Sequence, residues 1–229
     1  MDEILIGDKK EHGSFITYIY NALAEGVLKQ GGSCKLLFGE ERTALRLAAP
    51  KGAKLADCVR EAAAEVLGTG YKYEFLQARL GVSLSAREKK LLCASLIAAD
   101  FESDRAYILR KMKCTEEYAL DGLYSFRLAP LREKWTRIVE YIPAGFASED
   151  FRKFCEFLVG ESKNKIYLKG SAVFGENFTP LKRSVLLGEE DAETEILLSD
   201  PGFVYCLGDV EESLGDFLQK YFAERAIFS

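Results

Sequence analysis

The sequence predicts an α+β fold, with a mostly helical central region between β-containing amino- and carboxy-terminal parts. Three observations carry this. Short apolar runs punctuated by glycine-rich turns occupy both ends, and apolar residues at helical spacing dominate from Lys54 to Pro143. The chain has 229 residues, 48% of them hydrophobic, with 15 Phe and 11 Tyr, which is enough to fill a sizeable core. The expected division is 1–51 as a β-α-β-β segment, 52–163 as the helical region, and 164–229 as a β-rich segment ending in a helix. Chain ends of compact proteins tend to lie close together, which makes the two β parts candidates for one shared sheet.

At the amino end, "EILI" (3–6) predicts a strand. Phe15, Ile19, Ala22, Leu23 and Val27 predict a helix over 14–30, stopped by Gly31-Gly32. "CKLLF" (34–38) and "TALRLA" (43–48) predict a hairpin around Gly39–Arg42. In the middle, Leu55, Val59, Ala62, Ala63, Val66 and Leu67 mark one helix, and a second runs from near Tyr71 to Gly81. Ser85 and Glu88 form a capping box for a helix carrying Leu91, Leu92, Leu96 and Ile97 inward. A separate helix is expected at 103–113. Thr115 then caps another that passes through Asp121-Gly122, because Leu120, Leu123, Tyr124 and Arg127 share a helical face, with a turn at Asp121-Gly122 as the alternative.

Pro130 suits a first helical turn, and Leu131, Trp135, Ile138 and Ile142 continue that helix to Pro143. Ser148 caps one more, with Phe151, Phe154, Cys155 and Leu158 inward. After Gly160, "KIYLKGSAVF" (165–174), "SVLLG" (184–188), "TEILL" (194–198) and "FVYCL" (203–207) read as strands. Asp200-Pro201-Gly202 turns the last two into a hairpin. Asp209 caps a final helix, and "AIFS" ends the chain as a short strand.

Chemistry is sparse. The net charge is −5, from 31 basic and 36 acidic residues, which argues against a dedicated nucleic-acid binder. No Cys-x-x-Cys pair is present, and His12, the only histidine, reads as a solvated surface residue. Neither catalytic residues nor a metal or cofactor site is therefore expected. "GEEDAETE" (188–195) lacks the ligand spacing of a calcium loop, and "KQGGSCK" (29–35) follows a helix where a phosphate loop would precede one. The six cysteines are scattered and form no disulfide framework, and most sit in apolar or amphipathic surroundings where Cys behaves as a small buried hydrophobe. The acidic amino terminus has no apolar run, and no stretch is long and apolar enough to span a membrane, so a cytoplasmic location is expected.

The binding candidates are Asp121, Arg127, Arg132 and Trp135. In "FRLAPLREKWTR" (126–137), Arg127, Arg132, Lys134 and Arg137 surround Trp135, the mix of cations and an aromatic that single-stranded nucleic acid uses. Trp135 also keeps helical step with Leu131 and Ile138, which favours a place in the core. Gly122 is expected where another element packs closely, and Arg127 beside a carboxylate. An enzyme whose site is assembled from distant side chains is a third reading, for which the sequence ranks no residue.

One stretch goes further. Leu120-Asp121-Gly122-Leu123 and Phe126-Arg127-Leu128, in "LDGLYSFRL", resemble the LDGF-x-x-FRL segment of the YtxC-like family of sporulation proteins from endospore-forming bacteria. "FRKFCEFLVGESKNKI" (151–166) is similar to that family's aromatic-rich helix leading into a strand, although Leu123 stands where the family has Phe. The resemblance covers 55–229, with 115–166 its specific part. It implies a bacterial, cytoplasmic, sporulation-associated protein of unknown biochemistry; together with the lack of catalytic signatures, this makes contacts with a protein partner of unknown identity the expected mode of action. It carries over no catalytic residue.

Overall fold

The fold is described from a computed structural model over residues 1–113 and 115–228, the side chains of residues 158–161 lying outside that description. Along the chain, β1 (Asp2–Lys9) leads through a short 3-10 turn into α1 (Gly13–Lys29), then β2 (Ser33–Phe38) and β3 (Arg42–Ala49). α2 (Leu55–Val66) passes through a π-turn (Leu67–Tyr71) into α3 (Lys72–Arg79), and α4 spans Ala86–Lys111. β4 (Glu117–Ala119) is followed by α5 (Leu120–Gly122), which opens into a second π-turn (Leu123–Arg127) before α6 (Ala129–Tyr141). Then come α7 (Ser148–Glu161), β5 (Asn164–Lys169), β6 (Ala172–Phe174) and a 3-10 turn at Arg183–Leu187. α8 (Ala192–Leu198), β7 (Pro201–Cys206), α9 (Glu212–Phe222) and β8 (Ala226–Phe228) complete the chain. The α+β class is as predicted.

Two compact units share these elements, and each is assembled from two stretches instead of one consecutive segment: 1–72 with 101–136, and 73–100 with 137–229. The described residues form two four-stranded sheets, so the two β parts, candidates for one shared sheet, do not share one. The first unit holds the order β2-β3-β1-β4. β3 runs antiparallel to both β1 and β2, while β4 lies parallel to β1. Alternation puts Ile4, Ile6 and Asp8 of β1, and Thr43, Leu45, Leu47 and Ala49 of β3, on the buried face. There they meet Phe15, Ile16 and Ile19 of α1 and Val59 and Ala63 of α2, all buried. At about 25 cal/mol per Å² of apolar surface, that face is the main source of this unit's stability.

The second unit holds the order β6-β5-β7-β8. β5 and β6 form a hairpin through Gly170, and β7 lies parallel to both β5 and β8. Ile166, Leu168, Val173, Val204 and Cys206 are buried on the inner face. Phe151 and Cys155 of α7 and Leu214, Phe217, Leu218 and Tyr221 of α9 are buried with them. Leu158, expected beside Phe151, lies outside the described side chains.

Several expectations are corrected. Residues 103–113 are no separate helix, because α4 runs unbroken from its Ser85–Glu88 capping box. Thr115 caps no helix: residues 117–119 pair with β1, and Tyr118 is buried with its hydroxyl on the carbonyl of Lys113. "SVLLG" is a 3-10 turn and "TEILL" is α8, started by Asp191, whose carboxylate accepts the backbone N–H of Thr194. β7 therefore has no hairpin partner there, and Asp200-Pro201-Gly202 links a helix to a strand. The last helix begins at Glu212, with Glu211 and not Asp209 at its cap position.

Candidate functional site

In the first unit, two helices widen into π-turns, and each wide turn supplies a tyrosine. π-turns are rare and gather at functional places, because the extra residue re-aims side chains. The first, Leu67–Tyr71, contains Gly68 and Gly70. A Cβ on Gly70 would lie 2.7 Å from the ring of Phe15, so the close approach of that ring requires glycine. The second, Leu123–Arg127, contains Tyr124. The Tyr71 and Tyr124 rings sit 4.6 Å apart between centroids, and the row continues to Phe15 and His12 on one side and Trp135 on the other.

Polar groups close the row at both ends. The Tyr71 hydroxyl donates to the buried Asp8 carboxylate, 2.9 and 2.8 Å from its two oxygens. Nδ1 of His12 lies 3.3 Å from Asp8 Oδ1 and 3.1 Å from the Tyr71 hydroxyl. His12 is thus not the solvated residue expected, its side chain being only 14% exposed. A carboxylate, an imidazole and a phenol in contact form an acid–base set. Here Asp8 and Tyr71 are buried and satisfied by one another, so the set joins β1, the start of α1 and the first π-turn.

At the other end, Asp104 is fully buried. It accepts from Lys72 Nζ, Lys134 Nζ and Trp135 Nε1, each at 2.8 Å, and Lys72 is itself fully buried. Burial alone would push the Asp104 carboxyl up. Lys72, with the bonds from Lys134 and Trp135, instead holds it below the usual carboxylate range.

Three of the four residues named from sequence converge around this row. Asp121 takes a two-pronged contact from Arg42, at 3.1 and 2.6 Å, and that hydrogen-bonded guanidinium holds its carboxyl below the usual range. Arg132 lies over the Tyr124 ring, 5.1 Å from its centroid, and donates to the carbonyl of Ser125 at 2.9 Å. Trp135 is completely buried, so its ring is core and cannot stack on a ligand. Arg127 stands apart from these and from the expected carboxylate: it is exposed and donates to the carbonyl of Lys111 at 3.3 Å. Gly122 also differs from expectation. A Cβ there would meet only the methyl of Ala119, three residues earlier, at an ordinary 3.6 Å, so nothing approaches closely enough to require glycine. Lys134 is held on Asp104, and Arg137 belongs to the second unit.

The second π-turn leaves Phe126 and Arg127 exposed. Phe126 is 85% exposed, more than any other described phenylalanine. Arg127 adjoins it and reaches Lys111, while Arg110 and Lys111 both lie over the Tyr107 ring. Sequence reasoning missed Asp8, His12, Arg42, Tyr71, Lys72, Asp104 and Phe126. Asp8 alone carried a local signal, as a carboxylate in step with Ile4 and Ile6.

Among the described residues, no group of three or more His, Cys, Asp or Glu side chains is placed to hold a metal ion, and no helix is long and apolar enough to cross a membrane. Compared with known protein families, curated proteins and solved structures, the chain has no match.

Proposed function

We propose that this chain works by docking a protein partner on the second π-turn, with Phe126 as the anchor. The observation that carries the reading is a fully presented aromatic on a turn that is already held in place. Arg42 fixes Asp121 just before the turn, and Arg132 bonds the Ser125 carbonyl within it. An anchor ordered before binding loses little conformational freedom when it docks. Aromatic and arginine side chains together are the composition of interface hot spots. Arg127, next to Phe126 in the chain, and Arg132, bonded to the same turn, fit a partner with an apolar pocket and carboxylates at its rim.

The likeness of "LDGLYSFRL" to the sporulation family supports a setting: the cytoplasm of a spore-forming bacterium, with an activity of contact in place of catalysis. The buried state of Trp135 and the engagement of Lys134 weaken the nucleic-acid reading of 126–137. The test is a photo-crosslinking residue placed at position 126, with one at exposed Tyr141 as control, in extracts of the source organism. A discrete adduct at 126, absent at 141 and lost on Arg132→Glu, is expected. Identical adducts at both positions would reject the docking role.

A further inference from the structure

The sheet of the first unit ends on β2, and that edge is open. β2 has β3 on one side only, and among the described residues no backbone hydrogen bond reaches its far side. An open edge is a template for another strand, which proteins blunt by keeping it short, bending it with a bulge or placing proline on it. The other edge strands, β4, β6 and β8, have three residues each. β2 has six, Ser33–Phe38, contains no proline and pairs with β3 without a register shift. Its one charge is Lys35, and four of its six residues are Cys34, Leu36, Leu37 and Phe38.

Register fixes which groups the edge offers. The Gly39 amide donates to the Arg42 carbonyl, so these two residues close the β2–β3 hairpin as a bonded pair. Bonded and unbonded pairs alternate along an antiparallel ladder. Leu37 with Ala44, Lys35 with Arg46 and Ser33 with Ala48 are then bonded pairs, while Phe38 with Thr43, Leu36 with Leu45 and Cys34 with Leu47 are not. The other side of β3 agrees. The Lys10 amide donates to the Glu41 carbonyl, which makes Asp8 and Thr43 a bonded pair and turns the polar groups of Thr43 toward β1. The amides and carbonyls of Cys34, Leu36 and Phe38 therefore point out of the sheet. Their side chains share the face of Thr43, Leu45 and Leu47, the buried one, yet Cys34 and Leu36 are only half-buried and Phe38 is 74% exposed.

We propose that β2 pairs antiparallel with β2 of a second copy, about a two-fold axis at Leu36, joining two sheets into one of eight strands. The residues with outward polar groups are spaced evenly about Leu36. The axis therefore pairs Leu36 with Leu36, and Cys34 with Phe38 in both directions, each as a bonded pair. A large ring meets a small thiol, and this self-match selects a second copy over any other strand. On the outer face, Lys35 stands opposite Leu37 of the other copy, where its stem covers the leucine and its ammonium stays in water. The two Lys35 are diagonal neighbours about 7–8 Å apart, near the screening length in physiological salt. The acidic hairpin tip, Glu40-Glu41, comes beside Gly31-Gly32 of the other copy, next to Lys29 in the chain. The axis is perpendicular to the sheet, so both α1 helices lie on one side. α1 packs on β2 and β3, which separates the two helices by about two strand spacings, or about 10 Å, the distance at which helices pack. A strand pair this short buries less than the roughly 1,200 Å² of a stable dimer, and the paired helices make up the difference.

The test is sedimentation velocity of the full chain from about 1 to 200 μM, the range in which a dimer at the low end of interface size assembles. The wild type is expected to pass from one chain to two. Phe38→Lys, an exposed change that leaves the core untouched, should raise the dissociation constant about 10-fold or more, as loss of an aromatic anchor does. Phe38→Pro removes an outward N–H that the β3 ladder does not use and should have the same effect. Phe126→Ala should dimerise as the wild type does, which separates this proposal from the partner-docking one. Register is read by mild oxidation of Leu36→Cys. Bonded pairs stand about 5.5 Å apart between Cα atoms, within disulfide reach, so a disulfide between the two substituted positions is expected by peptide mapping. Leu37→Cys, whose copies meet only diagonally, should crosslink less. A chain that stays single at 200 μM would overturn the proposal, about that concentration being the limit of such weak dimers. So would a dimer indifferent to Phe38→Lys, or one in which Leu36→Cys forms no crosslink, because the copies would then meet elsewhere.

Discussion

Asp104 shows how much a single buried carboxylate can hold. Two lysines and an indole converge on it, and Lys72 has no exposed surface at all. Removing one partner of such a pair leaves a charge in the core, so Asp104→Asn is expected to cost about 3–5 kcal/mol. The sign of its pH dependence follows from the direction of the shift. A carboxyl held low in the folded state contributes stability above the ordinary carboxylate range, and loses it as pH falls through the folded value. The urea midpoints of wild type and Asp104→Asn should therefore stand apart at pH 7 and converge below about pH 4. A gap constant with pH would contradict the assignment.

The cysteines make a second prediction at this scale. Burial pushes the thiols of Cys93 and Cys155 up to about 12, whereas Cys58 is exposed. A thiol-reactive disulfide probe at pH 8 should label Cys58 in the native protein, and Cys93 and Cys155 only after denaturation, as read by peptide mass mapping. The buried nature of these two was legible in their apolar surroundings. The Lys72–Asp104 pair was not, since its partners are 32 residues apart and neither sits in a local pattern.

At the scale of elements, the two π-turn regions give opposite expectations for the same substitution. Gly70→Ala would drive a methyl into the Phe15 ring, itself buried between His12 and Tyr71, and should lower stability by about 1–3 kcal/mol. Gly122 has helical angles and open space, so Gly122→Ala should raise stability by about 0.4–1 kcal/mol. Thermal melts of both variants decide this, and equal shifts would show that the π-turn at Gly70 is not a packing constraint. Periodicity found most helices, and it placed Asp121-Gly122 inside one. It failed on a short apolar run: the three apolar residues of "TEILL" suit a strand or a helix alike, and the cap formed by Asp191 and Thr194 makes the segment a helix. A π-turn leaves no trace in periodicity beyond a slip of one residue, so Tyr71 looked like a helix start.

At the scale of the molecule, the fold class was readable but the partition was not. Local patterns identify strands without naming their partners. β1 with β4, β5 with β7 and β7 with β8 are parallel pairs of distant segments. The sequence therefore left open whether the two β parts share a sheet, and it divides into consecutive segments a chain whose two units interleave. The candidate site was half visible for the same reason. "LDGLYSFRL" covers the second π-turn, while Arg42, Tyr71 and Lys72 join its surroundings only through the fold. The central claim is that Phe126, fixed on that turn, carries partner binding. Its most direct measurement is a calorimetric titration of the crosslinked partner, once purified, with wild type and Phe126→Ala side by side. The account predicts a dissociation constant weakened about 10-fold or more, equivalent to about 1.4 kcal/mol, at an unchanged melting temperature. Equal affinity for the two proteins would contradict it.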